Sequence, residues 1–145
     1  EAIAAPLRAS GTVVHSLTAD LSLREEVSAL VERVQALGPV DLLVNNAGAG
    51  GPALLGPAPL AEQLRYLELM MLSVTQLCHA FAPAMAAQGW GRILNVASVA
   101  GRIGRAGDGH YGPAKAYVIA LSEALQSFTL ISIGWVMLRN SNTSA

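Results

Sequence analysis

Tyr111 and Lys115 are the two residues whose types and spacing point most directly to chemistry. They stand four residues apart at the start of a predicted helix and therefore share one face. A cation held beside the phenol favours the phenolate, which lets the tyrosine pass a proton to or from an alcohol oxygen. Ser98 ends a predicted strand, where its hydroxyl can hold a carbonyl oxygen. Together these residues predict carbonyl–alcohol chemistry with a hydride carrier.

Further polar and glycine residues follow other predicted strands directly. Asp20 lies past a strand predicted at residues 12–17, and the Asn-Asn-Ala-Gly run at residues 45–48 follows an apolar strand at residues 41–44. In an open parallel sheet, ligands bind beyond the carboxyl ends of the strands. Topology alone therefore predicts that these positions and Ser98 converge on one edge of the sheet.

Hydrophobic periodicity predicts the elements that position these residues. Helices are predicted from Ser22, with Glu25 completing a capping box, to Leu37, and over residues 60–87 and 111–127. Further strands are predicted at residues 92–98 and, less regularly, within residues 128–138. The longest helix is expected to bury one apolar stripe, made of Leu60, Leu64, Leu67, Met71, Val74, Leu77, Phe81 and Met85. This alternation predicts a parallel sheet with right-handed crossovers.

Composition narrows the function classes. The 145 residues are 52% hydrophobic and 13% charged, which suits one domain with a buried core. The net charge of −1 gives no reason to expect nucleic acid or an anionic membrane surface as a partner. The apolar run at residues 133–138 is far shorter than a membrane helix, and the first residues lack the pattern of a signal peptide. With a single cysteine, Cys78, a reducing cytoplasm is expected. The three histidines have no metal-ligand spacing, so no metal is expected.

With these residues in hand, the chain resembles the classical short-chain dehydrogenase/reductase family over about residues 11–125. The resemblance is carried by Asp20 after one strand, the run at residues 45–48 after the next, the segment at residues 92–98, and Tyr111 with Lys115. A lone Tyr-x-x-x-Lys pair is weak. All four features in this order and on these elements are specific.

The resemblance implies a partial Rossmann-type fold, a doubly wound parallel sheet in three α/β/α layers that lacks the first βαβ segment. It implies one incomplete NAD(P)-binding domain over residues 1–145, with an atypical tail at residues 128–145. NAD or NADP would be the cofactor, and a small carbonyl or alcohol compound the substrate. A homodimer or homotetramer would form through the helices near residues 60–88 and 111–127.

The resemblance also implies a role for each matching residue. Tyr111 would be the general acid/base, Lys115 would favour its phenolate and hold the nicotinamide ribose, and Ser98 would bind the substrate oxygen. Asp20 would contact the adenine. The remaining cofactor-binding positions would be Leu21, Asn45, Ala47 and Gly48.

Three departures from the family pattern stand out. The Gly-rich turn that carries the pyrophosphate in the family is not found, so the strand at residues 12–17 would either keep an exposed edge or pair directly with the strand at residues 41–44. Met70 stands where the family has an asparagine that relays protons through water. The segment at residues 128–138 contains no Pro-Gly. The chain is therefore expected to be part of a longer reductase.

Other readings of the same residues remain open. Asp20 could cap a helix, and Asn45 could satisfy strand backbone groups in addition to, or instead of, lining a cofactor. Tyr111 and Lys115 could be an ordinary aromatic–cation pair. The alternative function is a non-catalytic chain that pairs with other subunits through its two long helices.

Overall fold

A computed structural model describes residues 2–52, 56–104, 106–107 and 109–126 and the backbone of residues 132–138. Its helices are α1 (Ala4–Ala9), α2 (Arg24–Gln35), α3 (Leu60–Leu67), α4 (Ser73–Ala87) and α5 (Tyr111–Leu125). A five-residue π-turn, Glu68–Leu72, joins α3 to α4, and a 3₁₀ turn, Val99–Gly101, follows the second strand. The strands are β1 (Leu42–Asn45), β2 (Arg92–Ser98) and β3 (Ser132–Leu138).

The three strands form one parallel sheet in the order β1-β2-β3. Asn45 lies opposite Asn95 across the first pair, and Ser98 lies opposite Leu138 across the second. Because β2 is central, its carboxyl end lies between those of its two neighbours. The predicted parallel α/β architecture is confirmed, including a strand within residues 128–138. The rest of the predicted atypical tail, residues 128–131 and 139–145, lies outside the described residues, and the domain boundaries remain a prediction.

Helices α2, α4 and α5 all pack on one face of the sheet. Alternate strand residues, among them Leu43, Ile93 and Ala97, join a single core cluster with side chains of these helices. The intervening residues Leu42 and Val44 point to the other face and are 56% and 48% exposed. In the part of the chain that the structure describes, the core therefore lies between the sheet and one helical layer.

A buried polar network crosses this core. The Asn45 Nδ2 donates to Asn95 Oδ1 at 2.8 Å, and Asn95 Nδ2 donates to the Ser122 Oγ at 2.9 Å. The Ser122 hydroxyl donates in turn to the Val118 carbonyl at 2.7 Å. Each polar side chain is thus satisfied, which a buried network requires. The network fixes β1, β2 and α5 relative to one another just below the carboxyl ends of the strands.

The π-turn changes which side of the long helix is buried. Leu60 and Leu64, predicted to be buried, are 69% and 52% exposed, and Gln63, Tyr66 and Met70 are buried in their place. A π-turn adds one residue to one helical turn and so rotates the preceding segment by about 100° relative to a uniform helix. After the turn the prediction is confirmed: Val74, Leu77, Phe81 and Met85 are buried.

By length and composition alone, the helical stretch Leu60–Ala87 could cross a membrane. A core helix of a soluble protein satisfies the same criteria. Here the stretch packs against α2, α5 and both β1 and β2, as a core helix does.

The strand predicted at residues 12–17 is not formed. These residues have no regular secondary structure and are mostly exposed, with Val13 at 80%, and they have no strand partner among the described residues. The direct pairing with β1 is likewise wrong. A single extended segment has no ladder in which to place its backbone donors and acceptors, and β-propensity cannot replace that ladder.

The predicted capping box at Ser22 and Glu25 is also wrong. The helix begins later, at Arg24, and Leu23 at its N-cap makes no side-chain capping bond. The Ser22 backbone N–H and hydroxyl both donate to Asp20 Oδ1, at 2.9 and 2.7 Å. This local turn around the aspartate uses the serine that would otherwise cap the helix.

Candidate active site

Tyr111 and Lys115 lie together at the start of α5, as predicted. The Lys115 Nζ is 5.9 Å from the centre of the Tyr111 ring and donates to the Val96 carbonyl at 2.7 Å. Lys115 is buried, and burial lowers the pKa of its ammonium group. Because an ammonium has three donors, two remain for a ligand or for the phenolate. The Tyr111 hydroxyl has no hydrogen-bond partner among the described residues and is therefore available to substrate.

Ser98 is fixed at the carboxyl end of β2. Its Oγ accepts a hydrogen bond from the Ala100 backbone N–H at 3.2 Å, at the first residues of the 3₁₀ turn. This bond occupies a lone pair and leaves the serine proton free to donate. Gly101, at the end of the turn, packs directly on α5: a β-carbon there would be 2.6 Å from the Lys115 carbonyl carbon. The turn thus seats the serine against the helix that carries Tyr111.

A cavity of about 310 Å³ opens beside these residues. It is lined by Asn46, Gly48, Ala49, Gly50, Met70, Val96, Ala97, Tyr111 and Lys115. The backbone after β1 therefore faces the tyrosine and the lysine across one space. A β-carbon at Gly48 would be 3.3 Å from the Met70 sulfur and 3.9 Å from Lys115 Nζ. Because glycine has no side chain, the backbone itself forms this wall of the cavity.

Three of the other predicted cofactor positions lie around a second cavity. Leu21, Asn45 and Ala47 line this space of about 320 Å³, and Asn46 lines both cavities. The Asn45 amide nitrogen is engaged in the buried network. Among the described residues it donates to side chains and not to the strand backbone groups that the sequence suggested; the cofactor role of Asn45 stays a prediction. Ser98 and Asp20 line neither cavity.

Asp20 is held by its neighbours at the surface. Beyond its bonds from Ser22, its Oδ2 forms an ion pair with Arg65 at 3.0 Å. The Ser22 hydrogen bonds, followed by the Arg65 charge, lower the pKa of the Asp20 carboxyl. Arg65 links the segment after residue 19 to α3. The structure does not bring Asp20 into contact with Tyr111, Lys115 or Ser98.

Sequence reasoning missed two residues near the tyrosine. The Tyr66 hydroxyl donates to the Ala49 carbonyl at 3.1 Å, and the Tyr66 ring packs in a cluster with Met70 and Tyr111. Gln63, one turn earlier, bonds the His110 Nε2 at 2.9 Å. The spacing 63-66-70 was present in the sequence, but the more apolar row that begins at Leu60 concealed it.

The geometry invites comparison with known proteins. A family model described as short chain dehydrogenase matches residues 1–129 of the 145. This chain belongs to the short-chain dehydrogenase family. Met70 lies within the π-turn and lines the same cavity as Lys115; its correspondence to the family's asparagine stays a prediction.

Individual relatives agree with this assignment to the short-chain dehydrogenases. Nodulation protein G of Azospirillum brasilense is 39% identical over 107 residues, which are 73% of this chain and 44% of that protein. The 3-oxoacyl-[acyl-carrier-protein] reductase FabG of Pseudomonas aeruginosa is 36% identical over 126 residues, 86% of this chain and 51% of that protein. The chain spans about half the length of these relatives.

Solved structures of the family share this fold. A metagenomic short-chain oxidoreductase in complex with NADP superimposes with a TM-score of 0.82 and 30% identity, over 97% of this chain and 65% of that one. A bulky-bulky ketone specific alcohol dehydrogenase from Comamonas testosteroni gives a TM-score of 0.89 at 26% identity, over 99% and 61%. An NAD⁺-bound xylitol dehydrogenase also matches. The family uses NAD or NADP.

Proposed function

We propose that this chain carries the proton-transfer part of an NAD(P)-dependent oxidoreductase that interconverts a small carbonyl compound and its alcohol. The observation behind this proposal is the shared cavity. Tyr111, Lys115 and the Gly48 backbone line one space at the carboxyl edge of the sheet, beside the strand that Ser98 ends.

The residues present fit the nicotinamide half of the cofactor. The wall at Gly48 allows backbone to approach a ligand closely, and Lys115 keeps two ammonium donors for ribose hydroxyls after its bond to Val96. When bound, the cofactor supplies or removes the hydride at the substrate carbon. We assign Ala47 and Gly48 to the cofactor floor and Asp20 and Leu21 to its adenine end.

Tyr111 moves the proton in this proposal. In carbonyl reduction its phenol donates a proton to the substrate oxygen while the carbon gains the hydride, so the alcohol is neutral and the tyrosine becomes a phenolate. The nearby Lys115 ammonium stabilises that phenolate. The Ser98 hydroxyl donates a hydrogen bond to the same oxygen and orients it for transfer.

The first test is a titration of the protein with NADH and NADPH, followed by cofactor fluorescence. We expect Lys115→Ala to weaken binding by about ten- to a hundredfold, because it removes charge-assisted hydrogen bonds. Tyr111→Phe should leave binding nearly unchanged and lower turnover of carbonyl substrates by about 10²–10⁴-fold. Tyr117→Phe, which removes a hydroxyl bonded to Thr75 instead, is the matched control. If Lys115→Ala bound the cofactors as tightly as the wild type does, the assignment of Lys115 to cofactor binding would be refuted.

A second candidate function, pairing without catalysis, rests on a different surface. An apolar groove of about 310 Å³ runs between α4 and α5 on the side away from the active-site cavity, lined by Thr75, Cys78, His79, Ala82, Pro83, Ala86, Leu121 and Leu125. Met70 beside Lys115 also favours this candidate, because a thioether cannot relay protons. A homodimer or homotetramer would form through this groove, whether or not the chain is catalytic.

Sedimentation and cofactor titration together separate the two candidates, because association through the groove is expected of both and only the enzyme is expected to bind cofactor. A pairing chain would associate reversibly, lose association in an Ala86→Glu variant that places a charge in the groove, and bind no cofactor. An enzyme would bind cofactor in stoichiometric amounts. The cytoplasmic location also remains a proposal, based on the single cysteine; burial raises the pKa of the Cys78 thiol, as expected of an inert core residue.

A further inference from the structure

Tyr66 makes two distinct contacts with the loop that follows β1. Its hydroxyl donates to the Ala49 carbonyl at 3.1 Å. Its ring packs closely against Gly51, where a β-carbon would be 2.6 Å from the ring Cζ. The same loop contributes Gly48, Ala49 and Gly50 to the active-site cavity. One side chain of α3 therefore touches the loop on both sides of Gly50.

The loop has few other restraints. Residues 46–52 form no regular secondary structure, and the described backbone hydrogen bonds outside helices and strands include none from their amides. Backbone that is neither paired nor packed moves on the nanosecond timescale. Among the described residues, the Tyr66 hydroxyl reaches Ala49 and its ring reaches Gly51, so this one side chain restrains the loop at two points.

The Tyr66 hydroxyl holds its proton more tightly than the hydroxyl of an exposed tyrosine does. Burial, and after it the neighbouring Tyr111, raises the pKa of Tyr66 to about 12. The hydroxyl is therefore protonated near neutral pH and can donate to the Ala49 carbonyl. Tyr66 is 7% exposed, so most of its side chain is packed against protein while its hydroxyl reaches the exposed Ala49.

We propose that Tyr66 is a positioning residue that holds the loop at residues 48–51 against α3 and so shapes the cofactor side of the cavity. The π-turn makes this possible, because it turns Tyr66 inward where a uniform helix would present Leu64 or Leu67. The link to cofactor rests on the function proposed above. The restraint on the loop does not.

The test is Tyr66→Phe, which keeps the ring and removes only the hydroxyl. We expect the ¹⁵N order parameters of Gly48, Gly50 and Gly51 to fall from the rigid range near about 0.85 towards about 0.6. NADH affinity should fall by about two- to tenfold, the effect of one lost hydrogen bond. Tyr117→Phe loses the bond to Thr75 at 2.7 Å instead and should change neither.

A second pair of variants tests the ring contact. Gly51→Ala drives a methyl group into the Tyr66 ring and should disorder the loop more than Tyr66→Phe does. Gly50→Ala meets open space and should leave the order parameters unchanged. The double variant Gly51→Ala/Tyr66→Leu removes the clash together with the Tyr66 hydroxyl and ring, so we expect its loop to be at least as disordered as in Tyr66→Phe. Full loop order in this double variant would overturn the positioning role.

The outcomes separate this inference from the proposed function. Loss of loop order in Tyr66→Phe and Gly51→Ala, with no NADH binding by any form, supports the positioning role and refutes the cofactor role. Unchanged loop order in both variants overturns the inference, whatever the titration shows.

Discussion

Strand β2 and the segment at residues 12–19 both have sequences that favour a β-strand, but only β2 forms one. Both are rich in β-branched or apolar residues, but β2 has a hydrogen-bonded neighbour on each side and is covered by α4 and α5. The segment has no strand neighbour among the described residues, and Val13 is 80% exposed. Strand β1, with one described neighbour, is intermediate: Asn45 is buried and Val44 is half-exposed.

How firmly a residue of the candidate site is held depends on how many strands and helices pack against the segment that it follows. Ser98, Tyr111 and Lys115 belong to or adjoin β2, the strand with the most partners, and each is fixed by packing or a hydrogen bond. Asp20 follows the segment with none and is fixed only by surface groups. The residues proposed to transfer the proton are therefore held more firmly than Asp20, which is predicted to contact the adenine.

The largest expected effect comes from Asn95→Ala, which breaks the buried network on β2. It leaves Asn45 Nδ2 without its acceptor and Ser122 without its donor, so we expect a loss of about 2–5 kcal/mol in unfolding free energy. Urea denaturation measures this. Val13→Ala is the matched change on the exposed segment and should stay within about 0.5 kcal/mol. Similar losses of stability in both variants would contradict the difference between β2 and the segment at residues 12–19.

Gly101→Ala should come next. The added methyl would lie 2.6–2.8 Å from the backbone of Lys115 and Ala116, which cannot move aside as a flexible side chain can. We expect a loss of about 1–3 kcal/mol in stability. Gly104→Ala meets nothing within 4 Å and should be neutral, or stabilising by about 0.4–1 kcal/mol. Thermal melts of the two variants measure this difference. Equal melting temperatures would contradict the close packing of the 3₁₀ turn on α5.

Lys115→Met should give a smaller effect that depends on pH. Burial lowers the Lys115 pKa below its ordinary value of 10.5. Between the lowered value and 10.5 the unfolded chain binds more protons, so wild-type stability gains a contribution as pH rises through that window. Methionine lacks this contribution. The stability of the wild type relative to Lys115→Met should therefore increase as the pH rises towards and through 10.5 in parallel denaturant titrations; a constant difference over this range would mean that folding does not lower the Lys115 pKa.

The smallest change in stability is expected for Val44→Lys on the uncovered face of β1. Because Val44 is 48% exposed, the free energy of unfolding should stay within about 0.5 kcal/mol. Self-association should decrease, since lysine at a sheet edge opposes pairing with another chain. Light scattering against concentration measures this. A stability loss above about 1 kcal/mol would show that this face is packed.

Much of the fold could be predicted from the sequence because its signals are local. The apolar run at residues 41–44, the segment at residues 92–98 and the helix at Tyr111 are each decided by their own residues. The strand predicted at residues 12–17 was wrong because strand formation needs a partner, which no local pattern reports. The capping box failed for a related reason: Asp20 competes for the same serine.

The candidate site divides in the same way. Tyr111, Lys115 and Gly48 meet at one cavity, as the topology of a parallel sheet predicts. Tyr66 and Gln63 were missed because one inserted residue in the π-turn changes which side chains face inward. A uniform 3.6-residue period has no means of representing that insertion. The catalytic and cofactor roles of these residues stay predictions until cofactor binding is measured.

The π-turn also separates two tasks along one continuous helix. Beyond it, α4 presents a face to the core and another to the apolar groove; before it, α3 presents Tyr66 and Gln63 to the loop and to His110. Removing one residue from Glu68–Leu72 would restore a regular helix and replace the active-site lining by leucines, while α4 kept its packing. A change within this turn can therefore alter which residues line the active-site cavity without altering how α4 packs on the core.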